Sequence, residues 1–368
     1  MHRVGAVVSL KAMVMAAGKG TRLLPLTATR PKPMIPLLNE PIMDRMMENL
    51  KKAKIDEAVV LVDYLSDRIV NHLGDGSSHG MHITYTTDNI KRGTAGAVKY
   101  AAQSERDTFV VVSADVLTSL DIRKFIDTHL SGEAPVTMAL STVSDPTQFG
   151  VAVLDENGMI TRFQEKPKRE EAFSNLVNAG LYVCEPDILN LIPDNNKFDF
   201  SRDLFPLMLQ KGMPIAGYQF RDYWNDVGLP STYLQATSDL VEGRVEGNFL
   251  QVGSIDEVPH GRLITGRNCT IDGSLVIDGF AVLGDNVHIG KNIRISHSII
   301  YSNCSISDGC VISQAILGEG VQLGSGVVLD EGVVVGDWSR VGEDSRIAHN
   351  IKIWHHSRIG PGTKMLHT

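Results

Sequence analysis

Cysteine is scarce in this chain. Its 368 residues hold four, Cys184, Cys269, Cys304 and Cys310, with no C-x-x-C pair and no histidine cluster at zinc spacing. That excludes a zinc finger or ribbon and gives no disulfide framework, so the four read as reduced and mostly buried thiols. Long apolar runs are also missing, since none reaches the ~18 residues that a membrane span needs. Nor is there an excess of positive charge: 35 Lys and Arg stand against 43 Asp and Glu, a net charge of −8. A nucleic-acid partner held on a broad basic face is therefore excluded, although a nucleotide, which needs only a few local cations, is not. The opening stretch Met1–Leu10 has some signal-peptide character, but Lys11 cuts its apolar run short and Ala12–Ala17 reads better as a core strand. The expectation is a cytoplasmic protein with a short N-terminal extension.

What is present divides into two halves. The hydrophobic fraction of 43% is ordinary for a chain with a real core, and the length suggests two domains at roughly 100–200 residues each. Up to about residue 240, short apolar runs alternate with helical patterns. Strands are expected at Ala12–Ala17, Ala58–Tyr64, Ile83–Thr87, Phe109–Ser113, Val136–Val143, Val151–Leu154 and Leu181–Cys184. Met43, Met46, Met47 and Leu50 fall on one helix face and read as core. Such alternation implies an α/β domain with a mainly parallel sheet, whose ligands sit at the carboxyl ends of the strands.

Beyond residue 262 the period changes. Leu317, Leu323, Leu329, Val335, Val341, Ile347, Ile353 and Ile359 recur every six residues, each followed four residues later by a small or β-branched side chain such as Val321, Val327 or Ser339. A second series, Ile271, Ile277, Leu283, Ile289 and Ile295, has the same period but is offset, with irregular steps between Tyr301 and Leu317. Six-residue repeats are the signature of a parallel β-helix: each hexad makes a strand and a turn, and about sixteen hexads make roughly five triangular coils around a continuous core. The expected organisation is a first domain over 1–240, a join over 241–262 containing Gly243, Gly247 and Pro259, and a β-helix over 263–368.

The stretch Gly18-Lys19-Gly20-Thr21-Arg22-Leu23 follows the first strand directly. It is not a dinucleotide fingerprint, because Leu23 stands where the third glycine belongs. It is not a Walker A loop either, because Gly20 follows Lys19. It does suit a different phosphate cradle. Glycines let backbone N–H groups approach phosphate oxygens, Lys19 and Arg22 supply charge, and the Arg30-Pro31-Lys32-Pro33 segment holds Lys32 on a stiff stretch of chain.

The stretch Ala17–Thr27 followed by Pro31-Lys32-Pro33-Met34 resembles the signature of the sugar-phosphate nucleotidyltransferases, the NDP-sugar pyrophosphorylases. Further segments resemble that family's motifs in order: Gly93-Thr94-Ala95-Gly96-Ala97, Ser113-Ala114-Asp115, Phe149-Gly150-Val151, Glu165-Lys166-Pro167, Asn178-Ala179-Gly180 and Trp224-Asn225-Asp226-Val227-Gly228. The resemblance covers nearly the whole chain, because many members carry a C-terminal left-handed β-helix. It implies a Rossmann-like α/β nucleotidyltransferase domain with a mainly parallel mixed sheet. The implied reaction joins a nucleoside triphosphate to a sugar 1-phosphate and releases pyrophosphate. Ala16, Ala17, Gly18, Lys19, Gly20, Thr21 and Arg22 would hold the nucleotide, with Gly93, Thr94 and Ala95 near its base. Arg22 would contact the triphosphate, and Lys32 would lie by the α-phosphate. Asp115 and Asp226 would hold Mg2+, a hard cation that needs only one or two protein carboxylates. Gly150, Glu165, Lys166, Asn178 and Gly180 would form the sugar-phosphate pocket.

The Gly93-Thr94-Ala95-Gly96 segment resembles the purine-using members, especially mannose-1-phosphate guanylyltransferases, although Lys91-Arg92 stands where a Pro-Leu pair is often found. GTP and mannose 1-phosphate are the expected substrates, with glucose 1-phosphate and ATP, UTP or dTTP as the alternative. Two other classes share parts of the pattern. Hexapeptide acyltransferases use a histidine near a subunit interface, for which His349, His355 and His356 qualify by type only. A non-catalytic regulatory subunit would keep the fold and lose the chemistry. The β-helix is expected to make a homo-oligomer, with no membrane or nucleic-acid partner.

Overall fold

The computed structural model describes residues 10–87, 90–194, 196–246 and 254–366. The expected N-terminal extension, apart from Leu10, lies outside the described residues, as does Gly247 of the expected join. The chain forms two compact units, one from Met1–Gly18 and Arg45–Trp224, the other from Lys19–Asp44 and Asn225–Thr368. This division departs from the boundaries expected above. The glycine-rich loop belongs to the same unit as the hexad repeats, a non-local association that periodicity along the chain does not report.

The first unit is built on a parallel core. β1 (Lys11–Met15), β2 (Glu57–Val62), β3 (His82–Thr87) and β4 (Phe109–Ser113) lie in the order β3-β2-β1-β4, all parallel. The apolar runs of β1, β2 and β4 are continuous because these strands are covered on both faces, while β3 at the edge is largely exposed. β5 (Val136–Thr142), β6 (Gly150–Leu154), β7 (Ile160–Glu165), β8 (Leu176–Cys184) and β9 (Ala216–Gln219) extend the sheet. β8 runs antiparallel to β4, β5 and β6, β7 runs antiparallel to β6, and β9 runs parallel to β5. The expected strands are all present, and β8 is longer than expected because it starts at Leu176. Strand order reverses between β1 and β4, so their carboxyl ends diverge and open a crevice.

Helices cover that sheet, among them Ser66–Leu73 and Phe205–Gln210. α1 (Ile42–Lys52) buries Met43, Met46, Met47 and Leu50 completely, as their spacing predicts. α2 spans Gly93–Ala101. α3 (Ile122–Leu130) starts at Asp121, whose carboxylate accepts the Lys124 N–H at 3.0 Å. A core that includes Met13, Phe109, Val111, Met138, Tyr182 and Phe205 lies against one face of the sheet.

The second unit is a three-faced parallel β-helix with the glycine-rich segment attached. Strand pairs stack 18 residues apart, as Thr270 on His288 and Gln322 on Arg340. Between Leu283 and Leu329 the spacing shortens to 17, as Leu283 on Ile300, Ile295 on Ile312 and Ile312 on Leu329. The offset between the two hexad series follows directly. The chain advances five residues, not six, from Ile295 to Ile300 and again from Ile312 to Leu317. His297 and Gln314 turn the shortened corners with φ of 43° and 44°. The aliphatic series points into a continuous core together with Val321, Val327 and Val333. Cys269, Cys304 and Cys310 occupy the same inward position. Each thiol donates to a carbonyl of the next coil at 3.1 Å, from Cys269 to Gly284, Cys304 to Gly318 and Cys310 to Gly324. Burial pushes the Cys304 thiol up to about 12 and Cys310 up to about 11, and all four cysteines are free.

The expected join is partly β structure. Ser254–Val258 pairs antiparallel with Gly261–Thr265, which then stacks parallel on Gly279–Leu283. α4 (Pro230–Val241) precedes it, with proline in its first turn and Tyr233, Ala236 and Leu240 buried. Among the described residues no helix is long and apolar enough to cross a membrane.

Candidate active site

In the first unit, the crevice at the strand ends holds a cavity of about 400 Å³, within the range of small-molecule sites. Ala17 and Gly18 after β1, Asp63 after β2, Ser113 at the end of β4 and Asp115 beyond it, and Gly93 and Thr94 at the start of α2 line it. Ala16 does not; it is buried, and its N–H is bonded to Leu61 O at 3.0 Å in the sheet. Ala95 is buried too, and its N–H and that of Gly96 both donate to Phe198 O at 3.0 Å. The Thr94 N–H donates to Asp199 Oδ1 at 3.1 Å. These first-turn donors of α2 are therefore satisfied within the protein, so the turn serves as a wall for the cavity and not as an anion cradle. Gly93 has φ of +77°, and a Cβ there would come within 2.8 Å of Phe198 O. Only glycine fits.

The expected sugar-phosphate residues gather on β6, β7 and β8 of the same unit. Gly150 and Glu165 are register partners on β6 and β7, and a Cβ at Gly150 would meet the Phe163 ring. Burial pushes the Glu165 carboxyl up, while Lys166, Arg202 and a hydrogen bond with Ser201 hold it back. Lys166 is exposed just past β7, at φ of 48°. The register of β8 against β5 shifts between Asn178 and Tyr182. That bulge carries Gly180, at φ of +79°, to within 3.0 Å (as a built Cβ) of Ser113 Oγ, which lines the nucleotide-sized cavity. Asn178 is already engaged: Nδ2 donates to Tyr182 OH at 2.9 Å and Ser201 Oγ at 3.1 Å, and Oδ1 accepts the Gly180 N–H at 2.9 Å. It braces the bulge. Trp224 Nε1 donates to Ala179 O at 3.0 Å and its ring meets Phe149 edge-on at 5.2 Å.

Sequence reasoning missed Asp199 and Ser201. Asp199 holds Thr94, and Ser201 holds Asn178 and Glu165, so one short segment supports both the cavity wall and strands β7 and β8. The chain there makes one wide helical turn over Phe200–Leu204, with the Phe205 N–H reaching Phe200 O. Such turns recur at functional sites, yet Phe198-Asp199-Phe200-Ser201 has no spacing that would announce one. Lys197, also in the cavity lining, was not singled out either, and Lys91 was noted only as a departure from a motif.

In the second unit, the glycine-rich loop carries Lys19, Gly20, Thr21 and Arg22 at or near the surface. Gly20 adopts φ of +61°, and Thr27 Oγ1 donates to its carbonyl at 2.8 Å. The Arg22 guanidinium lies 3.4 Å from Asp226 Oδ2. Lys32 is buried, and its Nζ donates to Asp226 O at 2.8 Å. A Cβ at Gly228 would come within 2.7 Å of Arg22 and 2.8 Å of the Asp226 carboxylate, so the backbone passes close to this cluster. Arg22, Lys32 and Asp226 are thus brought together. Among the described residues no group of three or more His, Cys, Asp or Glu could hold a metal. Asp115 lines the first unit's cavity, and Asp226 lies beside Arg22 in the second unit.

A family model described as nucleotidyl transferase matches residues 11–243. The chain belongs to the nucleotidyl transferase family. A second model, the LbH domain of EIF2B subunit epsilon, matches residues 257–347, in agreement with the parallel hexad strands of a left-handed β-helix. Among curated relatives, a UTP–glucose-1-phosphate uridylyltransferase from Synechocystis is 35% identical over 68% of this chain and 68% of its own length. A mannose-1-phosphate guanylyltransferase from Mycobacterium tuberculosis is 33% identical over 75% of each chain. Among solved structures, a putative glucose-1-phosphate thymidylyltransferase from Bacillus anthracis matches 66% of this nucleotidyltransferase and 98% of its own chain, with a TM-score of 0.58 and 24% identity, a likeness of fold. The protein is a sugar-phosphate nucleotidyltransferase with an α/β domain and a hexapeptide β-helix.

Proposed function

We propose that this nucleotidyltransferase is a mannose-1-phosphate guanylyltransferase, making GDP-mannose and pyrophosphate from GTP and mannose 1-phosphate. The observation that carries the reading is the turn at Gly93 and Thr94. Its sequence resembles the purine-using members, and it walls the cavity at the strand ends. That cavity also holds Lys91, Lys197 and Asp63. Guanine presents O6 and N7 as acceptors and its amino group as a donor, so it can use both kinds of side chain.

In the reaction, a phosphate oxygen of the sugar 1-phosphate attacks the α-phosphorus. A new P–O bond forms there, the bond from the α-phosphorus to the oxygen bridging to the β-phosphate breaks, and pyrophosphate leaves with the electron pair. The nucleophile is already an anion, so no general base is required, and positioning and electrostatics supply the catalysis. Arg22 serves the triphosphate and the leaving pyrophosphate, and Lys32, which Asp226 O orients, serves the α-phosphate. Lys166 binds the sugar phosphate, and Glu165 takes sugar hydroxyls at the end of β7. Gly150 and Gly180 keep side chains out of the sugar's space. Asp115 and Asp226 are the carboxylates for Mg2+, which when bound neutralises phosphate charge. Assembly into a homo-oligomer through the β-helix and a cytoplasmic location belong to the same proposal.

The test is pyrophosphate release with Mg2+ from GTP, ATP, UTP and dTTP, each against mannose, glucose and N-acetylglucosamine 1-phosphates. A GTP–mannose peak that Asp115→Ala and chelation both abolish supports the reading. A peak at UTP with glucose 1-phosphate, the pair in the Synechocystis relative's name, keeps the mechanism and overturns the substrates. Silence from folded protein points to a regulatory subunit.

A further inference from the structure

The glycine-rich segment is tied to the β-helix by one buried carboxylate. In the coils, aspartates at one kind of corner share a task. Oδ1 of Asp285 accepts the Arg267 N–H at 2.7 Å, that of Asp308 the Lys291 N–H at 2.8 Å, and that of Asp337 the Glu319 N–H at 2.8 Å. Each thereby pins its coil to the preceding one. The second oxygen is what differs. At Asp285 it pairs with Arg267 at 2.6 Å on the exposed surface of the β-helix itself. At Asp337, which is 1% exposed, it accepts instead from the loop segment: Arg30 at 2.5 Å and Thr29 Oγ1 at 2.5 Å. Arg30 is almost wholly enclosed. Its guanidinium stacks 4.8 Å above the Tyr301 ring and lies 3.5 Å from Glu319. Two residues on is Lys32, and eight residues back is Arg22, whose carbonyl accepts from Lys352 of a later coil at 3.2 Å. Asn39 Nδ2 donates to Leu283 O at 2.9 Å at the far end of the segment.

We propose that Asp337 is a positioning residue for nucleotidyl transfer: through Arg30 and Thr29 it fixes the segment that presents Arg22 and Lys32 to the triphosphate, which makes the β-helix part of the catalytic apparatus. The inference rests on the proposed role of Arg22 and Lys32 with the triphosphate. A buried, charge-assisted cluster suits this purpose because it has one geometry, and small displacements of phosphate-binding cations cost much of the rate.

Asp337→Asn isolates the effect. The amide keeps an oxygen for the Glu319 N–H but presents an NH2 where Arg30 and Thr29 need an acceptor. Asp285→Asn is the matched control on the same kind of corner. Steady-state pyrophosphate release with the preferred substrate pair, and amide hydrogen exchange over residues 19–34, are measured on full-length protein. Asp337→Asn is expected to raise KM for the triphosphate by about tenfold or more while KM for the sugar phosphate stays within about twofold. Exchange over 19–34 quickens, exchange in the coils does not, and Asp285→Asn changes none of these. A fall in kcat with both KM values unchanged and faster exchange in the coils would mean that Asp337 serves only stability, and would overturn the proposal; unchanged exchange over 19–34 would do so as well. If Asp337→Asn does not fold, Thr29→Val, which removes one donor and no charge, must move the same two readouts in the same direction, and no movement overturns the proposal. If the parent protein turns over no substrate pair, the assignment of function fails separately, and the exchange arm still decides whether Asp337 holds the segment.

Discussion

Arg22 carries a cation at the surface of the glycine-rich loop, with Asp226 as its partner at 3.4 Å. Its loss removes charge stabilisation from the transition state at a position that is exposed. Arg22→Ala should lower kcat/KM for the triphosphate by about 10² to 10³ with little change in melting temperature, read by pyrophosphate release and calorimetry. Glu165 is the opposite case. Burial raises its folded-state pKa above the unfolded value near ~4.3. A raised carboxyl pKa means that the folded state binds its proton more tightly. Its favourable contribution is therefore present below the unfolded pKa and is lost as pH rises through the folded one. Glu165→Gln should accordingly melt higher than the parent at pH 7, and the gap should close below about pH 4. The same variant should raise KM for the sugar phosphate. A melting temperature that is lower than the parent's at pH 7 would contradict the buried-acid account.

Turns and strands are where single atoms decide an element. Gly93→Ala places a methyl against Phe198 O at a φ that L-residues avoid, so the first turn of α2 must move. The expected result is a higher KM for the triphosphate with the sugar phosphate unaffected, measured by initial rates. In the β-helix, Leu329 stacks between Ile312 and Ile347 and is fully buried. Leu329→Ala should destabilise by about 2–5 kcal/mol in denaturant unfolding, and because coils stabilise only their neighbours, hydrogen exchange should quicken in the adjoining coils first. The five-residue steps at Ile295–Ile300 and Ile312–Leu317 show how tolerant this architecture is. A missing residue is absorbed at a corner, by His297 and Gln314, and the inward ladder continues unbroken.

At the scale of the molecule, each unit has its own core, and residues 19–44 belong with the β-helix. A chain ending at Gly243 contains every motif of the nucleotidyl transferase family match, yet lacks Leu283, Asp337 and Lys352, the β-helix partners of residues 19–44. It should keep the secondary structure of the α/β unit by circular dichroism and lose pyrophosphate release by about 100-fold or more. The full chain should scatter light as an oligomer of its 40.2 kDa subunit. Trp338, Trp354 and Leu366 of the β-helix are about half exposed or more, which favours a contact there. A monomer mass would remove that part of the proposal.

The strands, the core face of α1 and the coil repeat were legible because each is a local periodicity, and burial selects residues at a fixed spacing along the chain. The residues proposed to carry the chemistry were picked out as types in order: Arg22, Lys32, Asp115, Glu165, Lys166 and Asp226. Tertiary structure alone decided what holds them. Asp199 and Ser201 support the cavity wall and strands β7 and β8 from a segment with no readable pattern, Asn178 turns inward to brace a bulge, and the loop segment belongs with the β-helix. These are pairings between residues tens to hundreds of positions apart, and nothing in the spacing of Thr29 and Arg30 marks Asp337, some 300 residues away, as their partner. Local pattern reports which side of an element meets the core. Which element lies across from it depends on the packing of the whole chain.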